Sequence, residues 1–236
     1  MEKKVKNINN KKSGKKSKKA VFVDIDQTLI NGSTEFETIK YMLKKRYLNL
    51  IKLILYCCKH TLKITVKNLP KIDIYFYKYF KYEFKGLTTR QLNNITKEVF
   101  NIAIKHKFNH EVLDMIKNLK RKGYIIIILT GTNNYMAKHI ARHIKADFVI
   151  SSELENVKGI LTGEIKGLHP FARNKELLAK NFAKNHSINL KQSYAFADHY
   201  TDKFILNSVG HPVVVNPKKR MLRYAANKGW KIIKNN

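Results

Sequence analysis

Aspartate residues follow short apolar segments at two places in the sequence, with a spacing that suits carboxylate chemistry. Asp24 and Asp26 end the first segment, and Asp198 and Asp202 follow a later one. Residues i and i+2 of an extended strand point to one face, so the first two carboxylates can face a single cleft. A carboxylate in a cleft can attack phosphorus or transfer a proton. Taken alone, the first pair also fits a capped turn after a strand.

The same carboxylates predict a metal site wherever they converge. Several carboxylates that lie close together repel one another strongly unless a cation neutralises them. A hard divalent ion with oxygen ligands suits such a cluster, and Mg²⁺ fits best. Thr130 ends a third apolar segment. Because ligands of doubly wound sheets bind beyond the carboxyl ends of the strands, we expect Thr130 and the aspartates to meet at one edge of the sheet.

The segments that position these side chains alternate between strand and helix patterns. Short apolar runs separated by amphipathic stretches are typical of parallel strands joined by helices. The predicted fold is therefore α/β, a doubly wound Rossmann-like parallel sheet. The pattern predicts strands at 20–26, 124–129, 147–151, 194–197 and 213–215, helices near 133–144 and 172–186, and a hairpin of 154–157 with 160–165 around Lys158-Gly159.

Three regions can be distinguished along the chain. Residues 1–19 contain nine lysines and almost no apolar side chains, so they are predicted to be a disordered polybasic tail. Residues 33–108 are expected to form an inserted all-helical cap domain, because the pattern from about 34 to 108 is helical throughout, apart from one proline and one glycine. Residues 20–32 and 109–236 make up the predicted Rossmann-like catalytic core.

The net charge of +30 admits two interpretations. One is a functional basic surface for nucleic acid, anionic lipid or a phosphorylated substrate. The other is a compositional bias towards lysine, isoleucine and asparagine, with the charges spread over solvated faces. The tail of residues 1–19 carries +8, which leaves +22 on the rest of the chain. The charge is therefore a property of the whole protein.

Cysteine content and hydropathy indicate where the protein works. The only two cysteines, Cys57 and Cys58, are adjacent, which rarely satisfies disulfide geometry and gives no zinc-binding spacing. No stretch of about 20 apolar residues is present to span a bilayer, and the N-terminus lacks the apolar core of a signal peptide. We expect a cytoplasmic protein, with peripheral contact at the inner face of the membrane as an additional hypothesis.

Four motifs in chain order resemble the signature of the haloacid dehalogenase-like phosphatases. The resemblance covers roughly residues 20–233, weakly across the cap, and its last part is similar to the branch that contains phosphoserine phosphatase relatives. The motifs are Asp24-Ile25-Asp26-Gln27-Thr28, Thr130 after an apolar strand, Lys175 on the helix after the hairpin, and Asp198-His199-Tyr200-Thr201-Asp202, followed by residues 209–217 and Gly229-Trp230.

The resemblance implies a role for each carboxylate. Asp24 would attack phosphorus and form an aspartyl phosphate, and Asp26 would act as general acid and then as general base. Mg²⁺ would bind the carboxylates of Asp24 and Asp198 and the main-chain carbonyl of Asp26. Asp202 would support the metal site.

The resemblance also implies a set of phosphate-binding groups. The Thr130 hydroxyl, the Gly131 amide and the Lys175 ammonium would hold the phosphoryl oxygens as charge shifts in the transition state. Lys180 lies close to Lys175 in the sequence, so the choice between the two lysines stays open here.

The cap is expected to choose the substrate, and here the sequence departs from the family. Phosphoserine phosphatases have a cap glutamate nine residues after the nucleophile, whereas Ser33 occupies that position and the nearest acid is Glu35. We therefore expect a larger or more apolar leaving group than serine. The partner would be a phosphorylated small molecule or a phospholipid, because some relatives dephosphorylate phosphatidylglycerol phosphate.

The basic and aromatic cap segments leave three interpretations open. Residues 41–66 and 75–84 mix apolar side chains with lysine, which suits an anionic membrane surface, stacking on nucleic acid, or an apolar stripe packed inward. The alternative function is a nucleic-acid- or membrane-binding basic protein with a vestigial phosphatase fold. Nucleic acid is disfavoured, because an intact acidic cluster opposes binding to DNA.

Overall fold

The strand that leads into the first aspartate pair lies at the centre of the sheet. A computed structural model describes residues 17–48 and 81–234 of the chain. It places β1 (Ala20–Val23) between β2 (Ile125–Asn133) and β6 (Tyr194–Ala197), parallel to both. With β3 (Phe148–Ser152), β7 (His211–Val215) and β8 (Lys231–Ile233), the parallel sheet has the order β3-β2-β1-β6-β7-β8. The predicted doubly wound α/β fold is confirmed.

Helices connect the strands, and a separate hairpin projects from the core. The hairpin consists of β4 (Leu154–Val157) and β5 (Ile160–Ile165), as the sequence predicts. The helices are α1 (Thr34–Lys44), α2 (Thr89–Val99, extended by a π-helical turn at Phe100–Ile104), α3 (His110–Arg121), α4 (Asn134–Ile144), α5 (Arg173–His186), α6 (Lys203–Ser208) and α7 (Lys219–Asn227). Short 3-10 turns occur at Tyr82–Phe84, Leu190–Gln192 and Tyr200–Asp202.

The alternating side chains of β1 enter two hydrophobic clusters, one on each face of the sheet. Val21 and Val23 join a cluster with side chains of α2, α3 and α4, whereas Ala20 and Phe22 join a cluster with α5, α6 and α7. All four are almost completely buried. Complete burial of a valine or phenylalanine contributes about 1.5–3 kcal/mol each, so both faces hold the strand, and the aspartates that follow it, in place.

The described part of the insert packs against the core and is not helical throughout. Met42 of α1 and Leu92 of α2 belong to the same cluster as Val21 of β1. The expectation of helix across 34–108 is wrong at residues 81–88. There the backbone forms hydrogen bonds with β5. The Lys81 N–H donates to the Gly163 carbonyl (2.8 Å), and the Leu161 carbonyl accepts a hydrogen bond from another backbone N–H of the insert.

Gly163 allows this contact between hairpin and insert. Its φ of +86° is unfavourable for residues with a side chain, and a Cβ at this position would lie 3.1 Å from the Cβ of Lys85. The residues of the insert between 49 and 80, including Cys57, Cys58 and most of the predicted basic aromatic segments, lie outside the described residues.

The described residues before β1 pair with the core. The Lys18 N–H donates to the Ser187 carbonyl (2.9 Å), and the Lys18 carbonyl accepts from the Asn189 N–H (2.8 Å). The end of the predicted disordered tail is therefore paired with the core, while residues 1–16 lie outside the described range. Within the described ranges, no helix is both long and apolar enough to cross a membrane.

Candidate active site

The carboxyl ends of three neighbouring strands open into one pocket of about 350 Å³. Asp24 and Asp26 follow β1, Thr130 and Gly131 come from β2, and Asp202 follows β6. The structure thus brings together groups that the sequence predicted to meet, although Asp24 and Asp26 lie more than 100 positions before the others. This is the edge at which parallel α/β sheets bind their ligands.

The Asp24 carboxylate is held at the end of β1. The backbone N–H of Asp24 donates to the Phe196 carbonyl (3.0 Å), so the parallel pairing with β6 continues one residue past the end of β1. Its Oδ1 accepts from the Ile25 N–H (2.8 Å), and its Oδ2 lies 2.7 Å from the Lys175 Nζ. The backbone and a buried lysine together fix both oxygens of this carboxylate.

Asp26 lies in a turn rather than on an extended strand. The strand ends at Val23, and the following turn includes Gln27 in the left-handed region, with a φ of 59°. Asp26 Oδ1 accepts from the Thr34 N–H (2.7 Å), and Oδ2 accepts from the hydroxyls of Thr34 (3.2 Å) and Thr132 (3.1 Å). The turn still directs the carboxyl into the pocket that Asp24 lines.

The surroundings of Asp26 suit a group that exchanges protons. Burial raises the pKa of its carboxyl to about 6, opposed by the hydrogen bond from the Thr34 N–H and assisted by the charge of Asp24. Acid-base catalysis is most effective when the pKa of the group lies near the working pH. Asp26 is therefore well placed to give up and regain a proton near neutral pH.

Two further carboxylates, of Asp198 and Asp202, lie close to that of Asp24. One oxygen from each of Asp24, Asp198 and Asp202 lies within 4.8 Å of the others. Burial, followed by the charges of Asp24 and Asp202, raises the pKa of Asp198 to about 7. The three carboxylates therefore lie where a further positive charge would stabilise them. Its oxygen-only donor set fits a hard divalent ion such as Mg²⁺.

Lys175 is the lysine of this site. Its Nζ lies 2.7 Å from Asp24 Oδ2 and 3.1 Å from Asp202 Oδ1. Burial alone would lower the pKa of this ammonium, but the two carboxylates outweigh burial and raise it, so the lysine stays charged. Lys180, the other candidate, forms an exposed surface pair with Glu176 (2.6 Å). The geometry separates two lysines that the sequence alone does not.

Hydroxyl groups at the end of β2 connect the predicted phosphate-binding residues to Asp26. The Thr130 hydroxyl accepts from the Thr132 N–H (3.2 Å) and donates to the Thr132 hydroxyl (3.2 Å). The Thr132 hydroxyl in turn donates to Asp26. Thr132 and Thr34 were missed in the sequence. The spacing of two between Thr130 and Thr132 was a usable signal, since it places both side chains on one face of an extended strand.

Two charged residues of the insert also line the pocket. Glu35, in the first turn of α1, pairs with Lys81, whose side chain is almost completely buried. Ser33 does not reach this pocket wall, because its hydroxyl caps α1 by accepting from the Phe36 N–H (3.3 Å). Beside this pair, burial and then the charge of Glu35 raise the pKa of Glu83 to about 8, opposed by Lys81.

Replacing Glu83 by glutamine should remove a pH-dependent loss of stability. The folded protein holds the Glu83 proton more tightly than the unfolded chain, so the resulting stability is present below pH 4.5 and is lost as the pH rises through about 8. We therefore expect the Tm of Glu83→Gln to exceed that of the wild type by about 2–4 °C at pH 8.5, and the two values to converge near pH 5. Calorimetry across this range measures the difference.

The control for this experiment is Glu111→Gln, at an exposed position in the first turn of α3. Its Tm should follow that of the wild type at both pH values. A Tm difference for Glu83→Gln that is the same at pH 5 and at pH 8.5 would contradict the assignment.

Comparisons with known proteins agree on one family and one fold. A family model described as haloacid dehalogenase-like hydrolase matches residues 21–206. The chain is 24% identical over 215 residues to the phosphoserine phosphatase SerB1 of Mycobacterium tuberculosis, a match that covers 90% of this chain and 70% of the relative.

Solved structures share the architecture at low sequence identity. A protein of unknown function from Bordetella pertussis Tohama I superposes with a TM-score of 0.78 at 18% identity and covers 92% of this chain and 98% of that one. A substrate-bound phosphoserine phosphatase gives a TM-score of 0.62 at 20% identity and covers 92% and 93%. At this level of identity the superpositions establish the common fold.

Proposed function

The chain belongs to the haloacid dehalogenase-like hydrolase family and is a phosphatase, and we propose that it hydrolyses phosphomonoesters with Mg²⁺ through a phosphorylated Asp24. The observation that carries the proposal is the placement of the Asp24 carboxylate. It lies at the end of the central strand, 2.7 Å from a buried ammonium and within 4.8 Å of two further carboxylates. A nucleophile, a neutralising cation and a set of metal ligands therefore meet at one point.

In the first proposed step, an oxygen of Asp24 attacks phosphorus. The new bond forms as the bond to the leaving oxygen breaks, and the Asp26 carboxyl donates its proton to that oxygen. The Thr130 hydroxyl, the Gly131 amide and the Lys175 ammonium stabilise the phosphoryl oxygens in the transition state. The products of this step are an alcohol and the aspartyl phosphate.

In the second proposed step, water attacks the phosphorus of the aspartyl phosphate. The Asp26 carboxylate takes a proton from the water as the bond between Asp24 and phosphorus breaks. Inorganic phosphate leaves, and both carboxyl groups return to their starting states. A pKa of about 6 lets Asp26 serve as acid in one step and as base in the next.

The carboxylates of Asp24 and Asp198 and the main-chain carbonyl of Asp26 would hold Mg²⁺, with support from Asp202. When bound, the ion neutralises the carboxylates and the phosphoryl charge. Among the residues that the structure describes, Lys175 is paired with two of the three carboxylates, so one positive charge faces three negative ones.

The test of the proposed function is hydrolysis of p-nitrophenyl phosphate with and without Mg²⁺, compared with retention on DNA over a range of salt concentrations. A phosphatase should release nitrophenol only with the ion present. Salt-sensitive DNA retention without any turnover would instead support the vestigial phosphatase of the alternative hypothesis.

The substrate that we propose is a small phosphorylated metabolite with a polar, charged leaving group. Glu35 and Lys81 both line the pocket and offer one charge of each sign. A purely apolar leaving group would displace water from these two charged side chains and offer no hydrogen bonds in its place. Burying charged groups in this way is unfavourable. This revises the expectation of an apolar leaving group. A phospholipid headgroup stays a prediction from the family resemblance. Contact of the nine lysines of residues 1–19 with anionic membranes stays a prediction from composition.

Glu35→Gln should impair turnover of substrates that carry an ammonium group. We expect kcat/KM for phosphoserine to fall at least about tenfold, because the amide no longer offers a negative charge to the amine, while p-nitrophenyl phosphate is turned over as before. The matched control is Glu37→Gln, because Glu37 lies on the same helix, pairs with Lys107 and is not part of the pocket lining.

The competing substrate in this experiment is phosphatidylglycerol phosphate in mixed micelles. Preferential turnover of the lipid, unaffected by Glu35→Gln, would contradict the proposed polar metabolite and favour the headgroup of a phospholipid.

A further inference from the structure

A buried histidine lies against the loop that is proposed to bind phosphate, although no motif in the sequence includes it. His169, between the hairpin and α5, lines the pocket and is 3% exposed. Its ring packs on Gly131, since a Cβ added to that glycine would lie 3.3 Å from the His169 Cε1. The His169 ring can therefore pack this closely because position 131 has no side chain.

Hydrogen bonds define which nitrogen of His169 carries a proton. The Ser152 Oγ lies 2.7 Å from the Gly131 carbonyl oxygen and 2.7 Å from the His169 Nδ1. A carbonyl can only accept, so the single hydroxyl proton of Ser152 is used for Gly131. The Ser152 Oγ must then accept from His169, which places a proton on Nδ1. Ser152 is completely buried, so water cannot replace either bond.

This chain of bonds fixes a peptide plane. The carbonyl of the peptide between Gly131 and Thr132 accepts from Ser152, and its N–H donates to the Thr130 hydroxyl (3.2 Å). Both polar ends of the plane are thus held. A glycine restrains its own backbone poorly, so the neighbouring plane decides where the Gly131 N–H points.

We propose that His169 is a positioning residue that acts through Ser152 to hold the Gly131 amide and the Thr130 hydroxyl in the arrangement that binds a phosphoryl group. The proposal rests on the proposed phosphatase function and adds two residues to its machinery. His169 stabilises the backbone at Gly131. The hydrogen bonds from the Thr130 hydroxyl to the Thr132 hydroxyl, and from there to Asp26, connect this backbone to the acid-base residue. The expected consequence is tighter binding of phosphate, and this effect can be measured separately from the stability of the fold.

Three variants test the link. His169→Phe keeps a flat ring against Gly131 but removes the Nδ1 proton, and Ser152→Ala removes the bond to the carbonyl. His169→Asn places an amide N–H where Nδ1–H lies in the wild type. His186→Phe is the matched control, because this histidine bonds the Phe182 carbonyl (2.9 Å) on α5, away from the pocket lining.

The measurements are KM for p-nitrophenyl phosphate, the inhibition constant of inorganic phosphate, and Tm. We expect His169→Phe and Ser152→Ala each to raise KM and the inhibition constant about tenfold, as the loss of one buried hydrogen bond allows. His169→Asn should recover most of this loss. The double variant His169→Phe/Ser152→Ala should be no worse than either single variant, because both break the same link.

Wild-type phosphate inhibition in His169→Phe, with only a lower Tm, would overturn the proposal and leave the proposed function in place. Full additivity in the double variant would overturn it as well. If His169→Phe fails to fold, Ser152→Ala and His169→Asn decide the outcome by the same inhibition constant. A wild-type chain without magnesium-dependent turnover would overturn the proposed function itself, and this inference with it.

Discussion

Replacing Asp24 by asparagine should lower the turnover of p-nitrophenyl phosphate by more than about 10³-fold while leaving the fold intact. The amide has nearly the shape of the carboxylate but is a much poorer nucleophile. It also no longer balances the charge of Lys175, which keeps Asp202 as a partner at 3.1 Å. Initial rates of purified variant and wild type, prepared in parallel, give the ratio.

Circular dichroism and Tm separate a catalytic effect from unfolding. The Tm of Asp24→Asn without added metal should equal or exceed that of the wild type, because the substitution removes one of three neighbouring negative charges. Asp114→Asn is the control, since Asp114 is exposed and pairs with Lys117 on the surface of α3. Near-normal turnover by Asp24→Asn, with contaminating phosphatases excluded, would refute Asp24 as the nucleophile.

Removal of divalent cations should abolish activity, and Mg²⁺ should restore it. The cluster of Asp24, Asp198 and Asp202 supplies hard oxygen ligands. Burial, followed by the charges of Asp24 and Asp202, raises the pKa of Asp198. Ca²⁺ should substitute poorly because its looser coordination disfavours in-line attack. Activity is measured after EDTA treatment and dialysis, with each ion then added back.

Binding of the ion should also be visible without any substrate. A ligand at about 100 times its dissociation constant stabilises the folded state by about 2.7 kcal/mol, which raises the Tm by several degrees in a chain of this size. Asp198→Asn should lose most of that rise, whereas Asp147→Asn, on the surface beside Lys120, should keep it. Full activity after exhaustive removal of cations would count decisively against the metal site.

The central sheet and the acidic cluster could be predicted because their signals are local. The apolar run before Asp24 can be recognised within a few residues, and the hairpin around Lys158-Gly159 has matching strands and a turn. Pocket residues that come from the loops, such as His169, could not be predicted in the same way. His169 gains its role from Ser152 and Gly131, which are 17 and 38 positions away, and no periodic pattern records such contacts.

Residues 81–88 show why a helical pattern in the insert failed there. Their backbone partners belong to β5, more than 70 positions further along the chain, so local propensity was overruled by tertiary hydrogen bonds. The helices α6 and α7 and strand β8 were also not predicted. Strand β8 has only three residues, one of them an exposed lysine, which is too short for an alternating pattern to be recognised.

The position of β1 in the sheet has a consequence for how the protein is made on the ribosome. This first strand needs partners on both sides, and the second of these, β6, ends at residue 197. A nascent chain therefore carries the apolar strand β1 without its full set of partners until synthesis has passed residue 197. Such long-range pairing slows folding and leaves an open apolar edge in the meantime, which favours aggregation and chaperone binding. Phosphatase activity should accordingly appear only once synthesis has passed β6, so ribosome-stalled chains that end before it should be inactive and prone to aggregate.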